Sequence, residues 1–174
     1  MSKYIIIVFF IFSTLNSYSQ ECGFDTNDSI IKSEKTMEWF VNKLTNQKLT
    51  ITNDKNYIPV LVKKQLDCFT NGFDIANPNE NHQSGCDVEE GVPSRHLNIL
   101  AKNENYLILN YTTYNLGVSG HNIWIEYDKN GITEFWTGST MGGLIVDTNF
   151  DLNKYIAQTE LRVKKMSEIF NGND

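Results

Sequence analysis

The stretch 97–137 constrains the fold more than any other part of this chain. It reads as strand, turn, strand, polar loop, strand, turn, strand. Leu97-Asn98-Ile99-Leu100-Ala101 meets a turn at Asn103-Glu104-Asn105, and residues 106–113 run back as a second strand. A polar loop through Gly117, Ser119 and Gly120 leads into 121–127, and 132–137 returns across Asp128-Lys129-Asn130-Gly131. Gly131 supplies the positive φ that such a hairpin turn needs. Strands joined this closely pair with their sequence neighbours, so an antiparallel meander is predicted.

Alternation within the meander assigns faces. His121, Ile123, Ile125 and Tyr127 point one way, and Asn122, Trp124 and Glu126 the other. The first set is expected to pack against helices. Phe135 and Trp136 fall on opposite faces of the return strand, which gives both faces aromatic surface.

Helical periodicity flanks this stretch. Ile30, Met37, Phe40, Val41 and Leu44 share one face of a helix over 28–46, with Asp28 or Ser29 as its N-cap. Leu152, Tyr155, Ile156, Val163, Met166 and Phe170 form the stripe of a long helix that Asp151 caps and Asn171-Gly172 closes. Between helix and meander, Thr50-Ile51-Thr52 reads as a short strand, and Pro59 suits the first turn of a helix over 60–69. That second helix competes with an edge strand, since Val60, Leu61, Lys64 and Leu66 fit neither period. Beyond the meander, Gly138 to Gly143 reads as a small-residue loop and Leu144-Ile145-Val146 as a fifth short strand. The predicted fold is α+β: an antiparallel four- to five-stranded meander over about 97–146, packed against an N-terminal helix and a long C-terminal helix.

The first nineteen residues read as a signal peptide. Lys3 is followed by an apolar run over 5–12, and Ser17-Tyr18-Ser19 offers small residues where a signal peptidase cuts. Eight apolar residues reach about 12 Å as a helix, against about 30 Å of bilayer hydrocarbon. Cys22 lacks a lipobox, because Gln20 and Glu21 precede it. The expectation is a single exported domain over 20–174, periplasmic or extracellular, with no membrane span in the mature chain.

A formal charge of −6, one unit more negative without Lys3, argues against nucleic acid as a partner. The usage of Asn, Ile and Lys points to a bacterial source. Three cysteines in an exported chain leave one unpaired if a single bridge forms. Cys68 and Cys86 are the preferred pair, flanking a Gly/Asn/Pro-rich loop in the least regular region of the chain, 70–95; pairing of Cys22 with either remains open. Closing a loop of this size would contribute about 3 kcal/mol in the chain-entropy model.

Few residues suggest chemistry. The sequence contains no Gly-x-Ser-x-Gly, Walker, Rossmann or His-Glu-x-x-His motif. His82, Cys86, Asp87, Glu89, Glu90 and His96 are metal-ligand types, but their spacing matches no zinc or EF-hand pattern, and no metal or cofactor is predicted. Asp67-Cys68-Phe69-Thr70 and the strand-borne His121 resemble the cysteine and histidine segments of NlpC/P60 cell-wall peptidases. The resemblance implies a Cys68 thiolate, His121 as its base and Glu134 as the orienting group. Phe69 and Thr70 stand where that family has Ser-Gly, and a disulfide at Cys68 would remove the nucleophile. The other reading is a non-catalytic binding domain that presents Trp124, Trp136 and Tyr111 to a protein or glycan of the cell envelope. Binding is the first expectation and a cell-envelope hydrolase the second.

Overall fold

The computed structural model describes residues 36–85, 88–114, 117–141 and 151–157. Helix α1 spans Met37–Leu44, and Met37, Phe40, Val41 and Leu44 form its buried stripe. Its cap is Thr36, which has extended φ/ψ and accepts a hydrogen bond from the Trp39 N–H through Oγ1. The described helix therefore begins at Met37. The expected cap lies outside the described residues. Strand β1 (Thr50–Thr52) follows, then a single 3-10 turn at Lys55–Tyr57 with Asp54 as its cap. Helix α2 occupies Val60–Phe69 with Pro59 at the N-cap position. Helix, not edge strand, is the outcome at 60–69, because Val62, Gln65 and Leu66 lie on one face against the sheet.

The sheet has strands β2 (Ile75–Ala76), β3 (Arg95–Lys102), β4 (Tyr106–Thr113), β5 (Ser119–Asp128) and β6 (Gly131–Met141) besides β1. Its order is β1-β3-β4-β5-β6, and β2 pairs with β3 in parallel. The predicted meander is present with every pairing from β3 to β6 antiparallel. Strand β6 runs four residues past its predicted end. Gly138, Ser139 and Thr140 pair with Asn122, His121 and Gly120 instead of forming a loop. The Trp136 ring explains Gly138, since a Cβ there would sit 2.5 Å from Cη2 and 2.9 Å from Cζ2. The expected strand at 144–146 lies outside the described residues.

Two bulges keep the apolar residues in register with the core. Pairing skips between Leu97 and Ile99, so Leu97 and Leu100 both face the α2 side. A second irregularity at Glu126/Tyr127 lets Ile132 and Phe135 share that side. An added residue on one strand changes the facing parity beyond it.

Both faces of the sheet are covered. On one, α2 packs over Leu97, Leu100, Leu107, Leu109, Ile123, Ile125 and Ile132. On the other, α1 and residues 152–157 pack over Ala101, Ile108 and Trp124. The expectation of helices on the His121 face is thus half the arrangement: α2 takes that face, while α1 lies on the opposite one. Strand β4 shows why, being buried from Tyr106 through Thr112 with no alternation. Asp151 Oδ1 accepts from the Asn153 and Lys154 N–H groups, as an N-cap should. The helix it opens is described over 152–157, and its predicted continuation to Phe170 lies outside the described residues.

The face under α1 carries a buried polar ladder. Asn98 Nδ2 donates to Asn110 Oδ1 and to Thr112 Oγ1, both at 2.8 Å. Asn110 Nδ2 donates to Asn122 Oδ1 at 2.7 Å, and the Tyr155 hydroxyl donates to the same oxygen. Satisfied amides of this kind fix register in an otherwise apolar layer.

The connection over 77–94 is tied down from within. Gln83 is buried, donates to the carbonyls of Glu89 and Val92, and accepts from the Glu89 N–H. Replacing Gln83 with Ala should raise amide exchange across 83–93 while leaving β4 and β5 protected, measured by hydrogen–deuterium exchange.

Candidate functional site

The site is assembled at the end of the sheet where β3 and β5 begin. Arg95 lies opposite Thr113, and Thr113 lies opposite Ser119. Next along the same face come Leu97, Tyr111, His121 and Ser139. Above them sits Phe73, delivered by a reversal after α2. Asn71 and Gly72 take positive φ values of 53° and 109°, which turn the chain back on itself. Asp67 holds the reversal, its carboxylate accepting from the Phe73 N–H at 2.8 Å and its carbonyl from the Gly72 N–H at 2.6 Å.

Aromatic stacking orders the groups. His121 stacks on Tyr111, with centroids 5.0 Å apart and planes 15° apart. Phe73 meets Tyr111 edge-on at 5.7 Å. The Arg95 guanidinium lies 4.9 Å from the Phe73 centroid and 5.9 Å from that of Tyr111. Its Nη1 donates to the carbonyls of Gly72 and Asp74 at 3.4 Å each. Among the described residues the ion pairs are Lys43–Glu126, Lys55–Glu80 and Lys63–Asp67, and none involves Arg95.

The electrostatics follow from this packing. Burial, and then the Arg95 charge, depress the basicity of His121. Burial raises the Tyr111 hydroxyl, and Arg95 draws it part of the way back. His121 Nε2 lies 3.0 Å from Thr113 Oγ1. The arrangement can present hydrogen-bond donors around one positive charge. A histidine less basic when folded binds fewer protons than the unfolded chain, between its lowered pKa and the usual value near 6.5. Stability therefore falls as pH drops through that window. Denaturant midpoints measured on both sides of it should show a shallower acid loss for His121→Asn than for the wild type.

The three residues of the peptidase-like pattern do not converge. Cys68 lies in the last turn of α2, outside the stripe of Val62, Gln65 and Leu66 that the helix buries. Glu134 lies opposite Glu126 on the other face, two residues before Trp136 along the strand. Its Oε2 is buried without a hydrogen-bond partner, and it is not placed to orient His121. Cys86 lies outside the described residues.

The aromatic candidates belong to the core. Trp124 is fully buried between Trp136 and Tyr155, with centroids at 5.4 and 6.4 Å. Tyr111 is buried under His121, Phe73 and Arg95, and Trp136 packs half-buried beside Trp124. The sheet thus offers no Trp124 or Tyr111 ring face for stacking on a sugar. Among the described residues no three His, Cys, Asp or Glu side chains gather to hold a metal ion. His82 and His96 do meet, stacked at 4.0 Å, with His96 Nε2 donating to the Pro78 carbonyl.

Sequence reasoning missed Arg95 and Phe73. The available signal was compositional: Arg95 is one of two arginines in a chain that otherwise uses lysine. A guanidinium is chosen over an ammonium where stacking and a planar donor fork matter. Comparison with family models, with curated proteins and with solved structures finds no match to this chain.

Proposed function

We propose that the chain is an exported, non-catalytic α+β domain that binds a protein or glycan of the cell envelope through the corner of Arg95, Tyr111, Thr113 and His121. The observation that carries this reading is the arginine. Its guanidinium stacks on two core aromatics, and no carboxylate of the described residues lies within 4 Å. Half-burying a charge without a counter-charge costs free energy. A ligand that supplies the opposite charge is the simplest reason for a fold to carry it.

In this reading Cys68 is bridged to Cys86, which closes the chain between them, 69–85, into a loop. Cys68 is not without a partner, and the chain around Gln83 is already folded back against Pro93. The same reading takes residues 1–19 as a signal peptide, and an exported domain is one in which such a bridge persists.

The test is thermal denaturation of the mature wild type and of Arg95→Gln against a set of envelope glycans, sugar acids and peptides. At least one class of compound should raise the wild-type Tm and leave the variant unmoved. Cleavage of a peptidoglycan fragment that requires both Cys68 and His121 would overturn the reading.

A further inference from the structure

This inference rests on the binding reading and narrows what the corner takes. Across the end of the α2-side face stand the Thr113 and Ser119 hydroxyls, the His121 imidazole, the Tyr111 phenol and one guanidinium. Both carbonyl bonds of Arg95 pass through Nη1, and the Tyr111 hydroxyl also lies within reach of the guanidinium; the Nη2–Nε edge of the fork lies outside the two carbonyl bonds. We propose that this edge receives a single carboxylate group, held side-on by Arg95 with the neighbouring hydroxyls of Thr113 and Ser119 as further donors.

Charge and shape both select the carboxylate. Planar guanidinium and planar carboxylate pair through two parallel N–H···O bonds. His121 is held towards its neutral form by burial and by Arg95, so the corner presents one positive charge. A monoanion matches that charge, whereas a phosphate dianion brings one negative charge too many. The hydroxyls on Thr113 and Ser119 add donors without adding charge. Two sources carry this group, an acidic or C-terminal peptide carboxylate and a sugar acid, and they differ in what surrounds it.

The test is an NMR titration of the isotope-labelled mature domain, following the Arg95 Nε–H, the His121 ring and the flanking amides. The probes are N-acetylglycine for the peptide source, glucuronate for the sugar source, the methyl ester of N-acetylglycine, and inorganic phosphate. Saturable shifts at Arg95 and His121 are expected with a carboxylate and not with the ester. Arg95→Gln should abolish them, and Arg95→Lys, which keeps the charge but not the fork, should weaken binding about tenfold or more. Tighter binding of one carboxylate identifies the source. Phosphate binding at Arg95 as tightly as either carboxylate would overturn the ligand class and leave the binding corner standing. Absence of shifts at Arg95 and His121 with every probe would overturn the carboxylate assignment. The thermal screen of neutral glycans and peptides would then decide the broader reading by itself. If Arg95→Gln does not fold, Arg95→Lys and the ester control decide the outcome between them.

Discussion

Replacing Trp124 with Ala should cost about 3–5 kcal/mol, at the upper end of what a single substitution does. Trp124 sits at the centre of β5 with none of its surface exposed. Its ring fills the space between α1, Trp136 and the Tyr155 side chain. Truncation removes the transfer free energy of the indole and leaves a cavity that the flanking strands cannot close. The indole Nε1 is buried without a hydrogen-bond partner, so no polar contact is lost with it. Trp124→Phe should therefore recover much of the loss. Urea unfolding of both variants measures this. A Trp124→Ala change below about 1 kcal/mol would mean that the face under α1 is not a packed core.

Gly131→Ala should destabilise by about 3 kcal/mol, from two separable causes. Gly131 has φ +113°, a conformation that L side chains rarely adopt. An added Cβ would also meet the Gln65 amide at 2.3 Å. That amide is engaged, because Gln65 Oε1 accepts from the buried Ile132 N–H at 2.8 Å. The contact pins α2 to the turn between β5 and β6. In a Gln65→Ala background the clash disappears and the backbone strain remains. Gly131→Ala should then cost measurably less than in the wild type, and equal costs would show that the clash is relieved without penalty.

How much of this was legible depends on how local the cause is. Strand β4 was read to its true ends because Asn103-Glu104-Asn105 and the apolar run after it are local signals. Asn103 does what the turn requires, its side chain accepting from the Asn105 and Tyr106 N–H groups. The β5–β6 turn was legible for the same reason. Gly138-Ser139-Thr140 misled because turn composition and strand composition part company where a neighbour needs a missing Cβ. Trp136 supplies that need from tertiary structure, which no local pattern reports.

The same distinction governs the site. His121 stands at the polar end of the meander, where the strand and loop signals of the sequence put it. Proximity on the next strand suggests Glu134 as its partner, but register sets the face, and Glu134 falls on the opposite one. Arg95 and Phe73 are separated by a long connection, and only the Asn71-Gly72 reversal and the parallel β2–β3 pair bring them together. Nothing periodic in the sequence marks that approach. The faces themselves were half legible, since alternation separates His121 from Trp124 without saying that both sides are covered.

The claim that this is a binding domain and not a thiol hydrolase is tested most directly at Cys68. Protein recovered from the periplasm or medium should be alkylated without reduction, digested, and mapped by mass spectrometry. A peptide containing Cys68 joined to one containing Cys86 is expected, with Cys68 unmodified by the alkylating reagent. Quantitative alkylation of Cys68 in the native, exported protein would contradict it.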